Sequence, residues 1–391
     1  MLIDARLSER IKKVKPSSTL AITAKAKKLK SEGRDIVNFA AGEPDFDTPD
    51  FVKREAIEAI NTGFTKYTSS TGIAELKKAI SEKLKNDNGL NYDPDQIVVS
   101  CGAKHSIFNA LFVLISKGDE VLIPSPYWVS YPEMVHLCEG TPQFIKTSPE
   151  NGFKVTAKDI EKHKHSKTKL LILNSPVNPT GSVYTPQELK EIACVCVAKK
   201  IFVIADEIYE KLVYDNFKQT SIAALNKEIY DLTITVNGLS KSHSMTGWRI
   251  GYLGAAPDIV EAISKLQDHS TSNAVSISQK AAVAALSARD DFSKNMCQEF
   301  QKRRDYMLDR LAKIKKLKFI RPQGAFYVFC DISKTKLDSL TFAQRLLDEA
   351  SVALIPGAGF GRDDYVRLSF ATGLEQIKKG MDRIEDWVTK L

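Results

Sequence analysis

The sequence predicts an open α/β sheet followed by a smaller α+β domain, on three observations. Short runs that are apolar throughout alternate with helical patterns between residues 97 and 236, the pattern of parallel strands buried on both faces by crossover helices. The chain has 391 residues, too many for one ordinary core, so two domains are expected. Past about residue 280 the alternation gives way to a long helical stretch and then to strands of period two.

Taken in order, residues 48–63, "TPDFVKREAIEAINTG", read as a helix with Thr48 as cap, Pro49 in the first turn and Gly63 as stop. "GIAELKKAISEKLKNDNG" reads as a second helix, with Ile73, Leu76, Ile80 and Leu84 on one stripe. Strand "QIVVSCG" then leads into helical "AKHSIFNALFVLISKG". "EVLIPSP", "LLILNSP", helical "TPQELKEIACVCVAKK", "IFVIADE" and "LTITVNG" follow, and residues 250–253 form another apolar run. "QKAAVAALSARDDFSKNMCQEFQKRRDYMLDRLAKI" reads as one long helical stretch leaving the first domain, before "GAFYVFCDI", "VALIPGAG" and "YVRLSFA". In the last, Val366, Leu368 and Phe370 alternate with Arg367 and Ser369, a half-buried strand. The expected division is a segment 1–47 joining the small domain, a large domain 48–285 and a small domain 286–391.

Composition narrows the function classes. With 43% hydrophobic and 27% charged residues the chain is an ordinary globular protein. No apolar run approaches the ~20 residues that span a bilayer, and "MLIDARLSERIKKVKPSS" lacks the apolar core of a secretion signal. Six cysteines without CxxC or finger spacing read as free thiols in a reducing cytosol. His163 and His165 flank a lysine in a polar stretch with no third ligand near, so no metal site is expected. The net charge of +8 is dispersed among acids along helices. That reads as solvated faces able to attract anionic substrates, not as a nucleic-acid stripe. No GxGxxG follows the first strands, which argues against a dinucleotide site.

In an open α/β sheet ligands bind beyond the carboxyl ends of the strands. Those ends carry Gly102-Ala103-Lys104, Tyr127-Trp128, Asn174 to Asn178, Asp206 to Tyr209, and Ser240-Lys241. Singly, each has a plain reading: a turn, a helix cap, a core aromatic. Jointly they form one rim holding an amine, an acid, a phenol, an indole and phosphate-binding groups. A helix start beside glycine offers backbone N–H groups to a phosphate, and Ser240 with Arg249 can complete that cup. Lys241 can attack a carbonyl and form a Schiff base. Asp206 can pair with a pyridinium nitrogen, which makes the ring an electron sink. Tyr209 can hydrogen-bond a ring hydroxyl, and Trp128 can stack on the ring. The cofactor with an aldehyde, a phosphate, a phenolic oxygen and a ring nitrogen is pyridoxal 5'-phosphate.

The motifs "AAGEPDFDTP", "YTSSTGIAELKKAI", "PSPYWVSYPEM", "NSPVNPTG", "ADEIYEKLVY", "LSKSHSMTGWRIGY", "GAFYVF" and "VRLSFA" run in this order from about residue 16 to 375. Through them the chain resembles class I aminotransferases of fold type I, most closely the bacterial aspartate aminotransferases of subgroup Ib. The resemblance implies a mostly parallel seven-stranded sheet between helices plus a small α+β domain. It implies Lys241 as Schiff-base lysine and proton carrier, Asp206 on the ring nitrogen, Tyr209 and Asn178 on the ring oxygen, and Trp128 on the ring face. It places the backbone from Gly102 to Lys104, with Ser240 and Arg249, on the phosphate. Tyr67 would reach the phosphate of a neighbouring subunit, so a homodimer is implied. Arg367, aided by Asn178 and the Gly42 backbone, would hold the α-carboxylate.

The segment "QDHSTSNAVSIS" contains no arginine for a distal carboxylate. In the subgroup a lysine at the place of Lys104, with hydroxyls such as Ser17 and Thr19, takes that part. The expected substrates are therefore L-aspartate and 2-oxoglutarate, in a ping-pong reaction. "LSKSHSMTGWR" departs from the commoner "KAFAMTGWR" form, and Ser242 and His243 there leave room for aromatic or prephenate activity. A β-lyase on the same fold would share Lys241 and Asp206. A non-enzymatic cofactor-binding regulator would need a DNA-binding domain for which no residues are spare.

Overall fold

The computed structural model describes residues 7–15, 18–288 and 290–391, and for residues 18–21 the backbone alone. Its largest sheet has seven strands, in the order Ile97–Ser100, Gly251–Gly254, Thr233–Gly238, Phe202–Asp206, Thr168–Asn174, Glu120–Ser125, Thr141–Lys146. Gly251–Gly254 runs antiparallel to both neighbours, and the remaining adjacent pairs are parallel. The apolar runs are apolar because both faces are covered. Val98, Ile123, Ile172, Ile204, Ile234 and Leu253 pack on one side with Ile107, Leu111 and Ile263. Alternate residues Leu122, Leu171 and Val203 pack on the other with Leu189 and Ile192. Thr141–Lys146 escaped the sequence reading because it is an edge strand with one buried residue, Ile145, and so shows no apolar run.

A four-stranded antiparallel sheet follows the order Ile355–Pro356, Tyr365–Ser369, Tyr327–Asp331, Lys318–Phe319. Helices Phe292–Leu311, Ser339–Ala350 and Leu374–Thr389 contribute Phe300, Leu308, Phe342, Leu346, Ile377 and Ile384 to its core. Val37–Asn38 pairs in parallel with Val352–Ala353, which ties the N-terminal segment to this end of the chain.

Three expectations need correction. Thr48 does not cap the helix that begins at Asp50. Its hydroxyl donates to the Ser244 carbonyl at 2.8 Å and accepts from Trp248 Nε1 at 2.9 Å, so tertiary partners outcompete the cap. The long helical stretch is two helices, Ser276–Ser287 and Phe292–Leu311, because the intervening polar residues offer the continuous helix no apolar face. Tyr365–Ser369 is not half-buried. All five residues are buried, Arg367 at 4% exposure, because the face opposite the core is itself covered.

Candidate active site

Parallel alignment puts the strand ends on one rim. Asn174 and Asp206 are direct partners at the ends of adjacent strands. Asn174 Nδ2 donates to the Asp206 carbonyl and Asn174 Oδ1 accepts the Asn178 N–H, each at 2.8 Å. One side chain thus anchors the loop that presents Asn178. Ser240 and Lys241 leave the strand Thr233–Gly238, and Tyr209 leaves Phe202–Asp206 three residues after Asp206. Beyond these ends lies a cavity of about 430 Å³, walled by Gly42, Ala103, Lys104, Trp128, Asn178, Asp206, Tyr209, Ser240, Lys241, Arg249 and Arg367. The two sheets meet here, since Arg367 comes from the four-stranded one.

Asp206 is 4% exposed and accepts the Tyr131 hydroxyl at 2.6 Å. Burial pushes its carboxyl above the usual range, while Tyr131, the Ile208 N–H and the Lys241 ammonium pull it back. The half-buried Lys241 donates from Nζ to the Gly42 carbonyl. Burial lowers its ammonium to about 8; Glu43 opposes the shift, and Arg367 and Arg249 add to it. An amine at that value is neutral far more often near pH 7 than an ordinary lysine. Tyr209 is buried, which raises its phenol well above the ordinary value and keeps the proton on it, 2.9 Å from the Tyr327 hydroxyl.

Arg249 is held on the rim by two carbonyls, Thr246 at 2.8 Å and Cys101 at 3.2 Å. It lies against the start of helix Ala103–Leu114, where the first N–H groups have no intrahelical acceptor. Gly102 just before it has φ +90, and a Cβ there would stand 2.3 Å from Arg249 Nη2. Gly102→Ala is therefore expected to cost about 1–3 kcal/mol for the backbone alone, plus the displacement of Arg249. Gly63→Ala, at φ +75 with nothing within 4 Å, carries only the backbone part. Denaturant titration of both variants should find Gly102→Ala the more damaging; equal losses would show that Arg249 is not held there.

Arg367 donates from Nη1 to Asn178 Oδ1 at 3.0 Å and from Nη2 to the Ala40 carbonyl at 3.3 Å. Its guanidinium lies 4.1 Å from the Tyr327 ring centre, and its buried Nε has no partner among the described residues. Among the described residues no carboxylate pairs with it. A buried, unpaired guanidinium beside a cavity is an anion site awaiting a planar carboxylate. Lys104 lies with Nζ 4.8 Å from the Trp128 ring centre, and burial, then Arg249, pull its ammonium below the ordinary lysine value. Trp128 meets Tyr131 edge to face.

A family profile described as aminotransferase class I and II matches residues 34–384. The chain belongs to that family. An aspartate aminotransferase from Bacillus sp. (strain YM-2) is 46% identical over 98% of this chain and 99% of the relative. A probable aspartate/prephenate aminotransferase from Aquifex aeolicus is 44% identical over 97% of this chain and 98% of the relative. Among solved structures, the aspartate aminotransferase from Thermus thermophilus with maleate superimposes with a TM-score of 0.94 at 39% identity, covering 97% of this chain and 99% of that one.

Not every expected residue of the aminotransferase lines the cavity. Tyr67 stands apart, 90% exposed in the single chain. Ser17 and the side chain of Thr19 lie outside the described residues. Ser242, His243 and Ser244 face away from it. Ser242 Oγ is 2.8 Å from His243 Nδ1, the His243 ring stacks with Phe292, and Ser244 Oγ meets the Met296 sulfur. The expectation that Ser242 and His243 tune the substrate is thus corrected: they pack toward helix Phe292–Leu311 and line a different cavity.

Sequence reading placed Asn174 on the rim without a role and missed Tyr131, Tyr327, Glu43, Thr246, Thr23, Lys27 and Asn38, all on the cavity wall. Asn174 closes a strand, and Tyr131 follows Trp128 by three residues, so both carried a positional signal. Tyr131→Phe leaves the Asp206 carboxylate with the Ile208 N–H at 3.3 Å as its remaining donor among the described residues. The carboxyl should then titrate higher, and turnover should fall about tenfold, in line with the loss of one charge-assisted hydrogen bond. Steady-state rates across pH would check this, the acid limb moving upward.

Proposed function

We propose that the protein is an aspartate aminotransferase, which converts L-aspartate and 2-oxoglutarate into oxaloacetate and L-glutamate by a ping-pong reaction with pyridoxal 5'-phosphate in the cavity. One observation carries the reading: an amine of lowered basicity, a buried carboxylate, a carbonyl-clamped arginine at a helix start and an unpaired buried guanidinium share one cavity. The relatives' names support the substrate.

The donor set fits that cofactor. The cradle at Gly102 would be filled by any Cβ, and beside it stand the free N–H groups of the helix start, Ser240 and Arg249, the donors a phosphate needs. When bound, the cofactor supplies an aldehyde for an amine and a protonated ring that draws electrons from the substrate Cα. Asp206 holds the ring-nitrogen proton. Tyr209 and Asn178 hold the ring oxygen, and Trp128 covers a ring face. Arg367, with Asn178 and the Gly42 backbone, orients the substrate α-carboxylate. Lys241 Nζ would hold the cofactor aldehyde and, as a neutral amine, would take the substrate Cα proton.

Loading of the cofactor-free protein needs a neutral Lys241 amine. The loading rate should therefore rise with pH with a midpoint near 8, the value to which burial lowers Lys241, and stopped-flow absorbance at a series of pH values measures it. The division into 1–47, 48–285 and 286–391 belongs to this reading, and the pairing of Val37–Asn38 with Val352–Ala353 supports its first boundary. So does a homodimer in which Tyr67 reaches a partner's phosphate site; the exposure of so large an aromatic supports it. A cytoplasmic location accords with six cysteines that all stand as free thiols. Among the described residues no helix is long and apolar enough to cross a membrane.

The test is a single-turnover absorbance titration of the loaded protein with L-aspartate, L-alanine, L-phenylalanine and L-tyrosine separately. Fast conversion by aspartate is the expected result. Faster conversion by the aromatic amino acids would transfer the assignment to the aromatic or prephenate branch, which the Aquifex aeolicus relative's name keeps in view.

A further inference from the structure

Helix Ser18–Ser31 forms part of the cavity wall through Thr23 and Lys27, one turn apart. On the same helix Ile22, Ala26 and Leu29 pack into a cluster with Phe329, Ile355 and Phe360. That stripe sets the rotation of the helix and turns positions 23 and 27 along the cavity edge. Lys25 pairs with Asp348 and Lys28 with Glu32. Lys27 has no acid partner among the described residues.

The wall carries five cations, Lys27, Lys104, Lys241, Arg249 and Arg367, against two carboxylates, Glu43 and Asp206. Glu43 already accepts the Thr246 hydroxyl at 2.8 Å. In the reading above Arg249 serves the phosphate, Arg367 the α-carboxylate, Lys241 the amine chemistry and Asp206 the ring nitrogen. Two ammonium groups, Lys104 and Lys27, then remain for one further negative charge. Lys104 rests against Trp128, whereas Lys27 is exposed on a flexible four-carbon stem. A ping-pong enzyme for aspartate and 2-oxoglutarate must hold distal carboxylates that differ in reach by one methylene. One seated cation and one adaptable cation meet that need.

We propose that Lys27 is a specificity-determining residue that joins Lys104 in holding the side-chain carboxylate of dicarboxylic amino and 2-oxo acids. The proposal rests on the transaminase reading. It is tested on the loaded enzyme with Lys27→Ala, Lys27→Glu and Lys27→Arg. KM is measured for L-aspartate, 2-oxoglutarate and L-alanine, and the dissociation constant of maleate, an unreactive dicarboxylate, by calorimetry. Lys27→Ala should raise KM for both dicarboxylates and weaken maleate about fivefold, leaving L-alanine unchanged. Lys27→Glu should do more, Lys27→Arg should restore binding, and the loss should shrink at high salt as screening grows. Dicarboxylate and maleate values in Lys27→Ala within twofold of the parent would overturn the role of Lys27 alone. A parent enzyme that turned over phenylalanine but not aspartate would overturn the substrate assignment together with it.

Discussion

Lys241→Ala is expected to lower turnover by about four orders of magnitude or more while leaving the fold intact, since a group that both binds the cofactor and moves the proton has no substitute in the cavity. Among the described residues the side chain's one hydrogen bond is to the Gly42 carbonyl, and rings near it are those of Tyr209 and Phe326 at 5.8 and 5.6 Å. Little structure depends on it. The pH dependence of stability gives an independent check. The folded chain releases the Lys241 proton near 8, whereas an unfolded lysine keeps its proton to about 10.4. Between those values the unfolded state binds more protons, so the Lys241 contribution to stability rises with pH through that window. Below it, the folded state must carry a poorly solvated ammonium. The cofactor-free Lys241→Ala protein should thus be no less stable than the parent at neutral pH and should lack the parent's alkaline gain. Thermal melts at several pH values measure this, alongside turnover. A variant that kept a tenth of the parent's turnover would remove Lys241 from the chemistry.

Arg367→Ala should lower kcat/KM for every amino-acid substrate by about one and a half to three and a half orders of magnitude, the range for stripping one partner from a buried charge pair of ~2–5 kcal/mol. The loss should fall on acidic and neutral substrates alike, because the α-carboxylate is common to all. That distinguishes it from Lys27 and Lys104, whose loss should fall on dicarboxylates. Arg367→Lys keeps the charge but not the two-pronged geometry and should recover only part of the activity. Asn178→Asp makes the complementary test. It sets a carboxylate at the position of the 3.0 Å contact with Arg367 Nη1, neutralises the guanidinium from within the chain, and should weaken substrate binding while leaving the arginine in place. A change in KM below tenfold for Arg367→Ala would separate this residue from the substrate.

How much was legible beforehand depended on the range of the interaction that decides each feature. The runs ending in Asn174, Asp206 and Gly238 could be read as buried strands because covering both faces of a sheet demands unbroken apolar residues. Strand-end residues could be read as site residues because a parallel sheet sends all its carboxyl ends to one rim. Edge strand Thr141–Lys146 left no such mark because only Ile145 in it is buried, and the two-residue Val37–Asn38 pairing left none because its partner lies more than 300 residues away.

Within the site, residue types at the strand ends were enough to nominate Lys241, Asp206, Tyr209 and Arg249, because each must bring its own functional group, whereas the parts of Asn178 and Arg367 came from the family resemblance. What only the tertiary structure decided were the relations among them: Tyr131 on Asp206, Asn174 beneath Asn178, Tyr327 between Tyr209 and Arg367, and the N-terminal helix that brings Lys27 to the wall. It also turned Ser242 and His243 away from the cavity that their neighbour Lys241 faces. A sequence pattern records which groups are present and, through periodicity, which face they occupy. Contacts between segments that the fold brings together depend on packing that no local pattern encodes.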